Sequence, residues 1–385
     1  RATRGRYSSC AGKGKAMTLL KAAFHLASPG GSRGKLTTFI FHRVLPKPDP
    51  IFPGEPDAAR FDQILGWIKS WFNVLPLDTA VERLKAGKLP PCAAAITFDD
   101  GYADNCTVAM PILQKHKLPA CFFVATGFLD GGRMWNDTVI ESIRACRDKH
   151  LDLTAIDLGN HAIGSATEKR VAIEAIIGRI KYLPVNERLA LTEKLTEAAS
   201  ASPPSDLMMT SAQVTELYAG GMQIGAHTVS HPILASTSIS EARQEIADSK
   251  LFLEKLLQTR IGLFAYPNGK PGGDYLPEHA VLVRELGFDA AVSTAWGVAD
   301  SNTSVFEIPR FTPWDKSPLR FAARLLRNYS PKVVLGILVT VGVVILFTDS
   351  FTSHIIRPWA ARMRPSNLQN PISSMVHIVD GHRGG

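Results

Sequence analysis

Apolar positions along the chain follow two periods in turn. Leu36-Thr37-Thr38-Phe39-Ile40-Phe41 is a continuous β-branched and aromatic run ending at His42, the pattern of a strand buried on both faces. Beyond a proline-rich loop, Asp57 stands at a helix N-cap position, and Phe61, Ile64, Leu65, Ile68 and Phe72 keep the 3.6 period. A short strand at Val74-Leu75 and a helix over 78–86 follow. The second long apolar run, Ala93 to Phe98, is bounded by Pro90-Pro91 and stops at Asp99-Asp100-Gly101. A helix from about Ala103 to His116 and a buried strand over 119–125 come next. Strands alternating with helices predict an α/β fold with a mainly parallel sheet.

Residues 137–200 break this rhythm, with candidate helices over 138–147, 168–182 and 185–199. The stretch to about 205 reads as a helical insertion, either covering one side of the domain or acting as a lid. The alternation then resumes with a helix over 210–219, a strand over 222–226 and His227 at its exit. A helix over 240–257, a strand over 262–266, a helix over 277–286, strands over 289–293 and 305–309, and a last helix over 317–327 complete it.

The ends differ in character. Residues 1–16 are polar, basic and glycine-rich and are set aside from the fold. The stretch from Met17 to Ala27 is broken by Lys21 and His25 and does not read as a secretory signal. Val333 to Phe347 is fifteen uncharged residues, short of the about 17–20 that a membrane span requires. It is either a membrane anchor or a buried tail. Five basic residues from Lys316 to Lys332, against three soon after it (Arg357, Arg362 and Arg364), put the body on the cytoplasmic side, free or attached to the inner face of the membrane. The expected organisation is a basic, disordered segment over 1–35, a catalytic domain over 36–330, and a hydrophobic segment with a disordered tail over 331–385.

The formal charge of +8 suggests a polyanionic partner until it is located. Residues 1–43 hold nine Lys and Arg and no acid, and residues 331–385 hold five against two. Residues 44–330 are therefore mildly acidic, which argues against nucleic acid as a partner. The five cysteines are odd in number and scattered without CxxC spacing, which suggests neither a zinc knuckle nor a disulfide framework and leans towards a reducing compartment. There is no glycine-rich phosphate loop and no Ser or Cys nucleophile motif.

Two constellations carry chemistry. Asp99 and Asp100 end a buried strand: either a solvated Asp-Gly turn, or two acids facing one pocket at a frayed strand end. His227 and His231 lie four apart, on one side of a helical turn, a standard way to grip one metal. Joined to Asp100, they offer two nitrogens and one oxygen to a divalent ion, leaving positions for water and substrate.

Thr97-Phe98-Asp99-Asp100-Gly101 and His227-Thr228-Val229-Ser230-His231 resemble the first two motifs of the polysaccharide deacetylases, carbohydrate esterase family 4, over about residues 36–328. The resemblance implies a distorted (β/α) barrel of about seven parallel strands, a divalent metal that is usually zinc, and removal of acetyl groups from glycans. It implies Asp99 as general base, with Asp100, His227 and His231 as metal ligands. Phe264-Ala265-Tyr266-Pro267-Asn268-Gly269 is similar to the family's third motif, in a branch carrying Tyr-Pro-Asn-Gly. There Asn268 falls where the oxyanion N–H comes from, and Gly269 lets the backbone turn close to the metal.

This chain departs from the pattern at two places. Ala265 stands where the family's base-orienting arginine would be, and Arg310 where a histidine often stands. Arg310 is therefore expected to restore the lost guanidinium near Asp99 or the oxyanion. His42 and Tyr266 are further candidates for the pocket wall, and Trp135 and Trp296 offer aromatic surface to a sugar ring. The expected function is metal-dependent N-deacetylation of a polysaccharide or lipid-linked glycan precursor. A cyclic amide or ureide C–N hydrolase of the same fold, or a non-catalytic glycan-binding relative, are the alternatives.

Overall fold

The computed structural model describes residues 20–329. Its centre is a parallel sheet with strands β1 (Leu36–Phe41), β2 (Asn73–Val74), β3 (Ala93–Phe98), β4 (Cys121–Val124), β7 (Gln223–Ala226), β8 (Leu263–Ala265), β9 (Ala290–Val292) and β10 (Arg310–Phe311). The order is β10-β1-β3-β4-β7-β8-β9, with the short β2 also pairing with β3. Between β9 and β10 the ring is nearly closed by a parallel bridge from Val292 to Ile308. The result is a distorted barrel of seven parallel strands.

Both faces of the strands are covered, which is why they read as continuous apolar runs rather than alternating ones. Along β3, Ala93 and Ala95 face the barrel interior with Phe123, Ala265 and Val292, while Ala94, Ile96 and Phe98 face the helices. Small residues on β3 leave room for Phe123 in a narrow barrel.

The helices are α1 (Ala58–Trp71), α2 (Leu77–Lys85), α3 (Met110–His116), α4 (Trp135–Ala145), α5 (Ala166–Ile180), α6 (Val185–Ala198), α7 (Ser211–Ala219), α8 (Ile239–Leu257), α9 (Pro277–Glu285) and α10 (Pro318–Tyr329). Asp57 caps α1 as expected, accepting a bond from the Arg60 N–H at 2.7 Å. Helices α4 to α6 form the insertion, which has its own apolar core around Ile140, Ile173, Ile177 and Leu195.

Four expectations need correction. The insertion also contains an antiparallel hairpin, β5 (His150–Leu153) and β6 (Gly159–Ala162). The last strand is Arg310–Phe311 rather than 305–309, because only Ile308 bridges β9 before the chain crosses to pair with β1. The helix expected from Ala103 begins there but is not a regular α-helix, since a π turn runs through it over Asn105–Ala109. The ordered fold begins before Leu36: residues 20–27 are helical, with Ala23, Phe24 and Ala27 buried and Lys21 and His25 facing out. Phe24 stacks on Trp71 at 5.5 Å. The segment 333–347 lies outside the described residues; among those described, no helix is long and apolar enough to cross a membrane.

Candidate metal centre and active site

The carboxyl ends of the strands open into a cleft. His42 follows β1, Asp99 and Asp100 follow β3, His227 follows β7, Asn268 follows β8 and Thr294 follows β9, and all line it. Trp135, Lys181 and Arg188 form the opposite wall from the insertion.

The two acids reach one cleft by different means. Asp99 keeps the parity of Ala93, Ala95 and Thr97, so strand alternation alone aims it into the barrel mouth. Asp100 would point the other way, but its φ of 77° breaks the alternation and brings it round. Asp99 is fully engaged: Arg310 donates to its two oxygens at 2.7 Å each. Arg310 also donates from Nε to the Ser293 carbonyl at 2.9 Å, which fixes the fork's orientation. Burial alone would raise the Asp99 pKa, but Arg310 and His227 outweigh it and hold the carboxyl below its usual range. The guanidinium that Ala265 lacks on β8 thus arrives from β10.

Asp100, His227 and His231 present one donor atom each, all within 4.8 Å of one another. His227 Nε2 lies 3.4 Å and His231 Nε2 3.5 Å from Asp100 Oδ1. Asp100 Oδ1 is buried and, among the described residues, has no hydrogen-bond partner. Two ligands on a tetrahedral zinc at 2.0–2.1 Å stand about 3.3–3.4 Å apart, so this separation, poor for a hydrogen bond, suits an ion. His227 Nδ1 sits 2.7 Å from the Ala265 carbonyl, where it donates its proton and leaves Nε2 as the ligand atom. Burial and the charge of His227 push the His231 imidazole down to about 4, so its lone pair is free at neutral pH. Burial opposes charge on Asp100, yet the nearby imidazoles of His227, His42 and His231 hold it well below the carboxylate range. The His227 imidazole, although burial disfavours its charged form, is raised by Asp100 and Asp99; such a proton competes with a metal. The donor set fits a divalent ion.

The histidines do not share a helical turn. Residues 227–231 form a loop in which Thr228 has φ 65° and His231 φ 54°, a costly conformation for a β-branched residue. Glu245 of α8 holds it there, accepting from the Val229 and Ser230 N–H groups at 2.9 and 2.8 Å and from the Ser230 hydroxyl at 2.7 Å. The loop also accepts bonds from Thr126 and Gly127 beyond β4.

Other expectations divide. His42, Trp135 and Asn268 line the cleft. Tyr266 does not: it is fully buried, stacks on Tyr275 at 3.8 Å and donates its hydroxyl to the Phe306 carbonyl. Gly269 is not among the residues lining the cleft either. Its φ is 78°, and a Cβ there would meet the Thr294 nitrogen at 3.0 Å and the Tyr266 carbonyl at 3.1 Å, so the glycine serves a close backbone approach to the β9 exit. Trp296 packs edge-to-face against Trp314 and Phe311, outside the cleft lining.

Residues outside the motifs complete the site. Asp104 accepts from Arg43 Nε at 2.8 Å and from the Val44 N–H at 3.0 Å, and Asn105 donates to the His42 carbonyl at 2.8 Å. The π turn brings both side chains to the loop that carries His42, a common use of such bulges. Lys181 and Arg188 gave no local signal, because the insertion's pattern describes its own core and not the cleft it faces.

A model of the family described as polysaccharide deacetylase matches residues 86–291, more than half of the chain. YxkH of Bacillus subtilis, whose name assigns it to the polysaccharide deacetylases, is 24% identical over 253 residues, covering 65% of this chain and 63% of that protein. A lipid A 4'-phosphatase of Bacteroides thetaiotaomicron is 44% identical over 61 residues, 16% of this chain and 27% of that protein. The chain thus spans under two thirds of the length of these curated relatives. The Streptococcus pyogenes deacetylase PplD, solved with acetate, has the same fold at a TM-score of 0.51 and 20% identity, covering 77% of this chain and 99% of that one. With the barrel, the paired motifs and the family match in agreement, the chain belongs to the polysaccharide deacetylase family.

Proposed function

We propose that this protein hydrolyses the N-acetyl group of a glycan or lipid-linked glycan precursor, using a divalent ion, zinc, held by Asp100, His227 and His231. It acts in the cytoplasm or at the inner face of the membrane. The observation that carries the reading is the three-donor cluster beside a separate carboxylate, Asp99, that is turned into the same cleft. When bound, such an ion polarises an acyl carbonyl and acidifies a water.

The chain's own groups supply the rest. Asp99 stays ionised at neutral pH and accepts the proton of the attacking water. Arg310 keeps both its oxygens oriented and its charge compensated in a buried site. Asn268, at φ 59° on the β8 exit, supplies a backbone donor for the developing oxyanion. Of the three imidazoles that line the cleft, His42 is outside the metal set, which supports it as the group that protonates the leaving amine. Trp135 offers a face for the sugar ring.

Acetate release from N-acetylglucosamine oligomers by the full chain with added zinc tests this. Release by the wild type, lost in Asp99→Asn, supports the reading. Hydrolysis of cyclic ureides without acetate release, or equal rates in Asp99→Asn, overturns it.

A further inference from the structure

Resting on the deacetylase reading, we infer that the substrate carries an oxyanion, a phosphate or carboxylate, which docks between Arg188 and Lys181 on the insertion wall of the cleft.

Most half-buried arginines here have a carboxylate. Arg43 has Asp104 at 2.8 Å, Arg144 has Asp49 at 2.7 Å, Arg310 has Asp99 at 2.7 Å and Arg324 has Asp315 at 2.8 Å. Arg188 is different. Among the described residues no carboxylate pairs with it, its Nε is buried without a hydrogen-bond partner, and burial alone lowers its pKa. Its guanidinium lies 4.9 Å from the centre of the Trp135 ring, and Nη1 donates to the Lys181 carbonyl at 2.9 Å. The fork is therefore pre-aimed, with donors left over.

Lys181 adds a second cation to the same wall. It is 3% exposed, and its Nζ lies 3.4 Å from Asn268 Oδ1 on the far side of the cleft. The only acids among the cleft residues are Asp99, already paired with Arg310, and Asp100, in the metal set. Neither acid is left to pair with Arg188. Holding an uncompensated guanidinium half-buried costs folding free energy, and an incoming oxyanion is the group that removes this cost. It would form charge-assisted, bidentate bonds with the fork while the sugar ring lies on Trp135. The competing assignment is structural: Arg188 caps the end of α5 and Lys181 positions Asn268.

The test uses the full chain with zinc, comparing N-acetylglucosamine with N-acetylglucosamine 1-phosphate and N-acetylmuramic acid. At low salt at least one anionic substrate is expected to be preferred by about tenfold or more in kcat/KM, the two arms separating phosphate from carboxylate. The preference shrinks as salt rises. Arg188→Met and Lys181→Met are each expected to reduce that preference by about tenfold to a hundredfold, mainly through KM, and Arg188→Lys to recover part of it. Equal use of neutral and anionic sugars, or equal losses on both in Arg188→Met, overturns the inference. If no sugar is deacetylated, calorimetric binding of glucosamine 1-phosphate and glucosamine still decides it. Tighter binding of the phosphate that Arg188→Met abolishes supports the anion site, while failure of turnover contradicts only the deacetylase reading. Indistinguishable binding of the two sugars overturns the anion site.

Discussion

Arg310 and Asp99, 211 positions apart, form a two-point ion pair at 2.7 Å on each oxygen, inside the mouth of the barrel. Both side chains are almost completely buried. In such surroundings removing one partner strands the other's charge, at about 3–5 kcal/mol. Arg310→Met is therefore expected to lower stability by that order and to lower kcat/KM by about 10²–10⁴-fold, as Asp99 loses its orientation. Arg310→Lys, which keeps charge without the fork, should fold better than Arg310→Met yet stay well below wild-type activity. Denaturant unfolding and steady-state kinetics on the three proteins check this; near-normal kcat/KM in Arg310→Met contradicts it.

Glu245 does not touch the metal donors, yet it fixes the loop that joins them. Glu245→Ala is expected to leave the barrel folded and to weaken zinc binding about 10–100-fold, the usual effect of losing an outer supporting group. Competition with a chelator of known affinity measures this. Unchanged affinity would mean that the backbone alone holds the loop.

Asp137 provides a pH signature away from the motifs. It is 1% exposed and accepts the Tyr102 hydroxyl at 3.1 and 3.2 Å. Burial pushes its pKa up to about 7, with Asp100 and Glu141 adding to the rise and Arg43 opposing it. An acid whose folded pKa lies above its unfolded value binds more protons when folded, so stability falls as pH rises from about 4 to about 7. Asp137→Asn should flatten that part of the profile. Chemical denaturation at pH 5 and pH 8 reads the difference, and parallel profiles for the two proteins would contradict the assignment.

A ligand that binds only the folded state raises stability with the logarithm of its concentration. Zinc should therefore raise the Tm of the wild type progressively. The shift should be lost in His227→Ala, whose missing imidazole is held in place by the Ala265 carbonyl. A shift of the same size in His227→Ala would locate the ion elsewhere.

How much of this was legible in the sequence follows from range. Strands buried on both faces announce themselves as continuous apolar runs, so β1, β3 and β4 were found to within a few residues. Asp99-Asp100 and His227/His231 were legible because residue type and short spacing carry their chemistry. The relocated guanidinium was also readable, since Ala265 marks a vacancy and Arg310 is a charge at the end of a predicted strand. The His227–His231 spacing misled about shape: i, i+4 suggests a helical turn, but Glu245 holds a loop there instead. Nothing local in α8 marks Glu245 as the residue that does this. Tyr266 and Gly269 sit inside a motif yet serve packing, because alternation along β8 turns Tyr266 to the helix side of the sheet and a close approach to Thr294 occupies Gly269. Strands β5 (HLDL) and β6 (GNHA) are half-exposed and largely polar, so they lack the continuous apolar run that marks β4.

The central claim is a divalent ion seated between one carboxylate and two imidazoles. X-ray absorption at the zinc edge on the full chain with one equivalent of zinc tests it most directly. The predicted spectrum has two imidazole nitrogens and oxygen ligands at about 2.0–2.1 Å in four- or five-fold coordination. A spectrum with no imidazole scattering, or sulfur at about 2.3 Å, would contradict it.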